Sequence, residues 1–158
     1  MKKPGYFKNG CVVENIESTE KFCAIRELLS KAPIASTMHN ITQIEKAVID
    51  REKIYTTGLG KGIAIAHGKT SGIKDLVILL GVSRNGIDFE SVDGRPVHLL
   101  FLIANSPDHC EEYLFALSTL ARVLRNESFC DKLLVQADPH QVEDMMAMQF
   151  HRATCRKN

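Results

Sequence analysis

Residues 51–69 read REKIYTTGLGKGIAIAHGK, from Arg51 to Lys69, and the rest of the chain is organised around this stretch. Gly58, Gly60 and Gly62 let the backbone take conformations closed to other residues and expose N–H groups where a side chain would block approach. Ile63, Ala64 and Ile65 read as a short buried strand that delivers His67 to the rim of a sheet. The expectation is an imidazole at a strand end with a glycine-rich, anion-tolerant loop close by.

Such an arrangement suits chemistry on phosphate. A neutral imidazole, with an unperturbed pKa of about 6.5, offers a lone pair able to attack phosphorus. The transfer then needs in-line positioning and stabilisation of the equatorial oxygens, which backbone amides and an arginine can supply. Thr57, Gly58, Gly60 and Gly62 are the candidate phosphate-binding residues. Arg51 is preferred to Lys53 because a planar guanidinium grips two phosphate oxygens at once. Read from these residues alone, His67 either is the reactive group or merely ends a buried strand behind an ordinary turn. The loop has neither a G-x-G-x-x-G pattern nor a G-K-[ST] ending, so nucleotide binding has no motif behind it.

Outward from this stretch the chain alternates helical and extended signals. Val12 and Val13 begin the ordered part. Ser18 is a candidate N-cap for a helix with Phe22, Ile25, Leu28 and Leu29 on one face, ended by Pro33. Asn40 with Gln43 resembles a capping box, and Ile41, Ile44, Ala47 and Val48 continue a second helix toward Glu52. Asp75–Ser83 and Val97–Ala104 are buried strands, separated by turns at Arg84–Gly86 and Asp93–Gly94 with Ile87–Val92 as a loop or short edge segment. Asp108 and Glu111 start a long helix with Leu114, Leu117, Ala121 and Leu124 as its core stripe. Ser128 caps a short helix burying Phe129, Leu133 and Leu134, and Asp138-Pro139 opens a last one through Val142, Met145, Met146 and Phe150. The pattern predicts an α/β or α+β sandwich: one sheet, covered by helices on both faces, in a single domain of residues 1–158 with its core at about 12–151.

Composition narrows the function classes. With 158 residues the chain can bury roughly 70% of its unfolded surface in one core. Twenty basic and nineteen acidic side chains give a net charge of +1, which argues against a nucleic-acid partner held by bulk charge. The small basic clusters at Lys2, Lys3 and Lys8 and at Arg152, Arg156 and Lys157 read as solvated termini. No apolar run approaches the roughly 18 residues of a membrane span, and no signal segment follows Lys2 and Lys3, so the expected location is cytoplasmic with no membrane insertion. Five cysteines without a C-x-x-C pair fit free thiols in a reduced compartment. A zinc site from His109 and Cys110 lacks ligand spacing, and neither Cys110 nor Cys130 sits in an activating turn. His98 reads as structural. His39, His140 and His151 read as loop, helix-start and tail residues.

The stretch resembles the type-2 IIA domains of the bacterial phosphoenolpyruvate-dependent phosphotransferase system, the fructose, mannitol and nitrogen-regulatory group. The resemblance rests on Arg51, Glu52, Thr57, Gly58, Leu59, Gly60, Gly62, Ile63, Ala64, Ile65, His67, Gly68 and Lys69. Further support comes from Asp93, Gly94, Pro96 and Val97, from the helix of Leu117 and Leu120, and from Val142, Glu143 and Asp144. It implies that His67 accepts a phosphoryl group, through Nε2, from a histidine phosphocarrier protein (HPr or its nitrogen-type homologue). The group then passes to a cysteine of a IIB domain, or serves as a regulatory signal to a target protein. It also implies a mixed sheet flanked by helices, that Arg51 lies near the phosphate, and that no cofactor, nucleotide or metal takes part. Two positions depart from the pattern. Ala66 replaces the proline before the histidine, and Tyr113 stands where the family carries a second histidine. A phenol donates a hydrogen bond but supplies no positive charge. His109, about one turn upstream, is a candidate auxiliary group. The alternative expectation is a degenerate or regulatory interaction module that keeps the fold and transfers phosphate weakly or not at all.

Overall fold

The computed structural model describes residues 6–7 and 9–155, so Lys2, Lys3, Lys8, Arg156 and Lys157 lie outside the described residues. The elements run β1 (Val12–Val13), α1 (Lys21–Lys31), α2 (Ile41–Ile54), β2 (Gly58–Gly60), β3 (Ile63–Lys69), β4 (Val77–Ile87), β5 (Val97–Asn105), α3 (Cys110–Val123), α4 (Glu127–Val135) and α5 (Pro139–Cys155). The strands form one mixed sheet in the order β1-β4-β5-β3-β2. β3 runs parallel to β5, and β4 antiparallel to it, with Ile65 and Leu80 both opposite Phe101. The apolar runs anticipated at 75–83 and 97–104 are therefore the neighbouring strands β4 and β5, joined to the histidine strand.

Alternation along the strands assigns the two faces. Gly68, Ala64, Leu100 and Gly81 share one face through the β3–β5 and β4–β5 registers. A Cβ at Gly68 would meet α2 at Val48, and one at Gly81 would meet Leu28 of α1. The opposite parity carries His67, whose ring lies against Tyr113 of α3. Helices thus cover both faces, and the core between them is contiguous.

Local starts differ from the expected ones. α1 is capped by Glu20, whose carboxylate accepts from the Phe22 and Cys23 amides at 3.0 and 2.9 Å. Ser18 instead donates its amide and hydroxyl to Glu27, which reaches back from the second turn of α1. Asn40 does precede α2, but its amide nitrogen donates to the Gly72 carbonyl, so no capping box forms. Asn126 rather than Ser128 caps α4, accepting from the Phe129 amide at 3.1 Å. Arg84–Gly86 is not a turn: β4 continues to Ile87 through a register shift, with Gly86 at a φ of 93°. A bulge bends a strand without ending it, and glycine supplies the positive φ it needs. The core stripe of α3 differs from the expected one chiefly at its start: Tyr113, Ala116, Leu120 and Val123 are buried and Leu114 is 60% exposed, whereas Leu117 packs against the core and Leu124 is buried as expected.

The glycines have a different task from the one expected. β2 pairs antiparallel with β3, Gly58 opposite Ala64 and Gly60 opposite Ile63. Lys61 and Gly62 form the two-residue turn between them, with φ of 57° and 82°. Two positive φ values are what the tight hairpin turn of type I′ requires. Asp93 secures this turn, its carboxylate accepting from the Lys61 amide at 2.8 Å and from the Arg95 amide at 3.0 Å. The turn opens β3 and His67 lies near its other end. His67 lies five residue steps beyond Gly62 along the extended strand, roughly 16 Å. The glycine turn therefore lies remote from the imidazole, not close by.

Candidate functional site

Three elements deliver side chains to one cleft of about 700 Å³. α2 contributes Gln43, Lys46, Asp50 and Arg51, β3 contributes His67, Gly68, Lys69 and the following Thr70, and α3 contributes Tyr113. β2 is only three residues long, so at His67 the strand β3 has a ladder neighbour only on its β5 side, at Ile103. That leaves room for the C-terminal half of α2 to reach the imidazole.

Gly68 is what allows the approach. A Cβ there would stand 2.7 Å from the Val48 amide nitrogen and 2.9 Å from the Ala47 carbonyl carbon. Only a residue without a side chain lets the α2 backbone lie directly on β3 at this point. The segment after α2 is held from inside. Glu52 is 2% exposed and accepts from the Thr57 amide, at 3.0 Å to one oxygen and 3.2 Å to the other, and from the Thr57 hydroxyl. It also pairs with the buried ammonium of Lys21 at 3.5 Å. Thr57 therefore belongs to the anchor of the α2–β2 connection and does not face the cleft. Gly60 and Gly62 lie at the far turn and Gly58 pairs opposite Ala64, and none of Thr57, Gly58, Gly60 and Gly62 is among the residues lining it.

His67 is half-buried. Its Nδ1 lies 3.1 Å from the Ile65 carbonyl oxygen. A carbonyl can only accept, so Nδ1 carries the proton and the lone pair belongs to Nε2. Burial lowers the pKa of His67 most, the Ile65 bond opposes that, and the Arg51 charge lowers it further. The imidazole is therefore neutral at pH 7, in the tautomer that offers Nε2 as a nucleophile.

Tyr113 packs against this ring, centroid to centroid 5.6 Å at 51°. Desolvation raises its pKa, so the phenol stays protonated and neutral. Arg51 donates from one guanidinium nitrogen to the Tyr55 carbonyl at 2.9 Å, which fixes its stem at the end of α2. Lys69 was not singled out by any sequence signal as a site residue, although its i, i+2 spacing from His67 on a strand places it on the same face. Its Nζ stands 5.2 Å from the Tyr113 ring centroid and 3.7 Å from the Cys110 Sγ. Lys46 is tied to Asp50 at 2.7 Å. His109 is exposed in the 3-10 turn Pro107–His109, where its carbonyl accepts from Asn105, and it is not among the cleft residues. His98 hydrogen-bonds the Ser83 carbonyl at 2.8 Å, as a structural residue would. Among the described residues, no group of three or more His, Cys, Asp or Glu could hold a metal ion.

Comparison with known proteins shows the family of this chain. The family described as phosphoenolpyruvate-dependent sugar phosphotransferase system, EIIA 2, matches residues 5–148. The chain belongs to that family. It is 36% identical over 132 residues to the PTS system fructose-specific EIIABC component of Bacillus subtilis, covering 84% of this chain but only 21% of that protein. It is 32% identical over 137 residues to the nitrogen regulatory protein of Bradyrhizobium diazoefficiens, covering 87% and 89% of the two chains. The nitrogen regulatory protein IIA-Ntr of Neisseria meningitidis superposes with a TM-score of 0.78 at 26% identity, over 86% of this chain and 92% of that one. The mannitol IIA enzyme of Escherichia coli, solved in complex with phosphorylated IIB, shares the fold at a TM-score of 0.73 and 20% identity, over 89% and 96% of the chains. The EIIA type-2 relatives thus include both sugar-transport and nitrogen-regulatory proteins, and the mixed sheet with five helices is the architecture of these structures. No helix among the described residues is long and apolar enough to cross a membrane.

Proposed function

We propose that this EIIA type-2 chain is a phosphocarrier that accepts a phosphoryl group on Nε2 of His67. The observation that carries the reading is the Nδ1 bond to the Ile65 carbonyl, in a side chain that lines a cleft beside Arg51. A phosphohistidine of an HPr-type donor protein presents its phosphorus, and the Nε2 lone pair forms the new N–P bond as the donor N–P bond breaks. The electron pair of that bond returns to the donor imidazole. Nδ1 keeps its proton on Ile65 throughout. In the onward step a cysteine thiolate of a IIB domain attacks, and the pair of the breaking bond returns to Nε2. The complex formed by the mannitol relative with phosphorylated IIB supports an acceptor of this kind. No cofactor or metal is required by these steps. Because the relay begins at phosphoenolpyruvate, a cytoplasmic metabolite, the reading puts the chain in the cytoplasm.

The test is incubation of the pure protein with phosphoenolpyruvate, enzyme I and the phosphocarrier, followed by detection of acid-labile, alkali-stable phosphate. Wild type incorporates one phosphoryl group and His67→Ala none. Equal null results from both sink the reading.

Tyr113 favours a second reading. A neutral phenol beside His67 supplies no charge of its own, which fits a regulatory module in which phosphate enters slowly and its presence or absence is read by a target protein. Phosphoryl exchange with a IIB domain over seconds supports the transport relay. A phosphorylated state that persists for hours and changes the affinity for a non-IIB partner supports the regulator.

A further inference from the structure

We infer that Lys69, seated on the face of Tyr113, supplies the positive charge that meets the phosphoryl group on His67. The inference rests on the phosphocarrier reading and adds a catalytic residue to it.

The placement comes from β3 and α3 together. Residues 67 and 69 share a face of β3, with their side chains roughly 7 Å apart along the strand. Both reach the same ring: the His67 imidazole lies 5.6 Å from the centroid of Tyr113, and the Lys69 Nζ lies 5.2 Å from it. An aromatic face attracts an ammonium without neutralising it, whereas a carboxylate in that position would cancel its charge. The Cys110 sulfur, 3.7 Å from Nζ, is a weak acceptor and also leaves the charge intact. Among the described residues, neither Lys69 nor Arg51 makes an ion pair, while Lys46, on the same cleft, is bound to Asp50 at 2.7 Å. Two uncompensated cations, one from α2 and one from β3, therefore flank the half-buried imidazole. A dianionic phosphoryl group is the ligand chemistry that such a pair fits.

Tyr113 acts through Lys69 and is a positioning residue. Its ring is 6% exposed and fixed in the core stripe of α3, so it gives a flexible lysine a defined seat. The phenol hydroxyl plays no part in this, and removing it is a control on the argument.

The experiment follows Lys69→Met, Lys69→Arg and Tyr113→Phe beside wild type in two measurements. The first is the rate of phosphohistidine formation from the phosphorylated HPr-type donor, resolved into kcat and KM. The second is the imidazole resonances of His67 in the unphosphorylated protein titrated with inorganic phosphate. Lys69 is exposed, so its replacement leaves the thermal transition in place. Lys69→Met lowers kcat by about tenfold or more, as loss of one preorganised charge at a transition state does, and weakens the phosphate-dependent shift of His67. Lys69→Arg and Tyr113→Phe stay within about threefold of wild type in kcat, since each keeps the cation on its ring. Lys69→Met with wild-type kcat and wild-type phosphate titration overturns the inference while leaving the phosphocarrier reading intact. A loss confined to the KM for the donor also overturns it, because it shows a docking contact only. Failure of wild type to acquire phosphate or respond to it removes the phosphocarrier reading and this inference together.

Discussion

Replacing Gly68 by alanine tests the packing that builds the cleft. The added Cβ would stand 2.7 Å from the Val48 amide nitrogen, so α2 must recede by about 0.7 Å to restore the ordinary contact of 3.4 Å. Both offending atoms belong to helix backbone, and no side-chain rotation relieves them. Overpacking of this kind costs about 1–3 kcal/mol, which for a chain of this size lowers Tm by roughly 2–12 °C. The same displacement carries Arg51, in the last turn of α2, away from His67. A shift approaching 1 Å in a group that positions the reacting atoms slows chemistry on the order of tenfold to a hundredfold. Urea unfolding and the rate of phosphohistidine formation are measured on the same preparation. The expected result is loss of both, with an unchanged far-ultraviolet circular dichroism spectrum. A Gly68→Ala protein that melts within about one degree of wild type and transfers at its rate refutes the close-approach argument.

Three further outcomes follow from the geometry. The His67 titration midpoint, read from imidazole NMR shifts, lies below the usual value of about 6.5, and Arg51→Met moves it upward because the Arg51 charge is one cause of the depression. Since the folded value is the lower one, the stability contributed by neutral His67 is complete above about pH 6.5 and is lost as pH falls through the folded midpoint. Glu52→Ala strands the Lys21 ammonium, 6% exposed, with only the exposed Glu90 at 3.2 Å, and destabilises by about 3 kcal/mol in urea; Lys21→Met added to it recovers part of that loss. Gly62→Ala, at a φ of 82°, costs about 1–2 kcal/mol of stability yet leaves the transfer rate unchanged, because the hairpin turn is remote from His67. A large fall in rate without a fall in stability would return the glycines to the site.

The α2 helix, the runs that became β4 and β5, and the strand bearing His67 were legible because their apolar residues follow one period and admit one phase. α3 admits two. Leu114, Leu117, Ala121 and Leu124 make as good a stripe as Tyr113, Ala116, Leu120 and Val123, and packing on β5 and α5 selects the second at the start of the helix, while Leu124 is buried at its end. That choice brings Tyr113 to His67 and leaves Leu114 outside. The cap of α1 differs from the expected one because Glu20, closer to the first turn, reaches two amides at once; Asn40 stands at the start of α2 as expected, but its side chain is drawn to Gly72 by a loop distant in sequence. The glycines were misplaced for a reason the spacing itself contains, since an extended strand between Gly62 and His67 must hold them apart. Lys69 belongs to the stretch that carries the resemblance, but nothing in the sequence says which ring its side chain will rest on.

The site of phosphorylation is read from long-range 1H–15N correlation spectra of the phosphorylated protein, labelled with 15N in histidine. With the phosphoryl group on Nε2 of His67, one histidine, absent from His67→Ala, shows the phosphorus coupling at Nε2 while its Nδ1 keeps the proton shared with Ile65. Phosphate on Nδ1 of His67, or on another of the histidines, overturns the proposed chemistry.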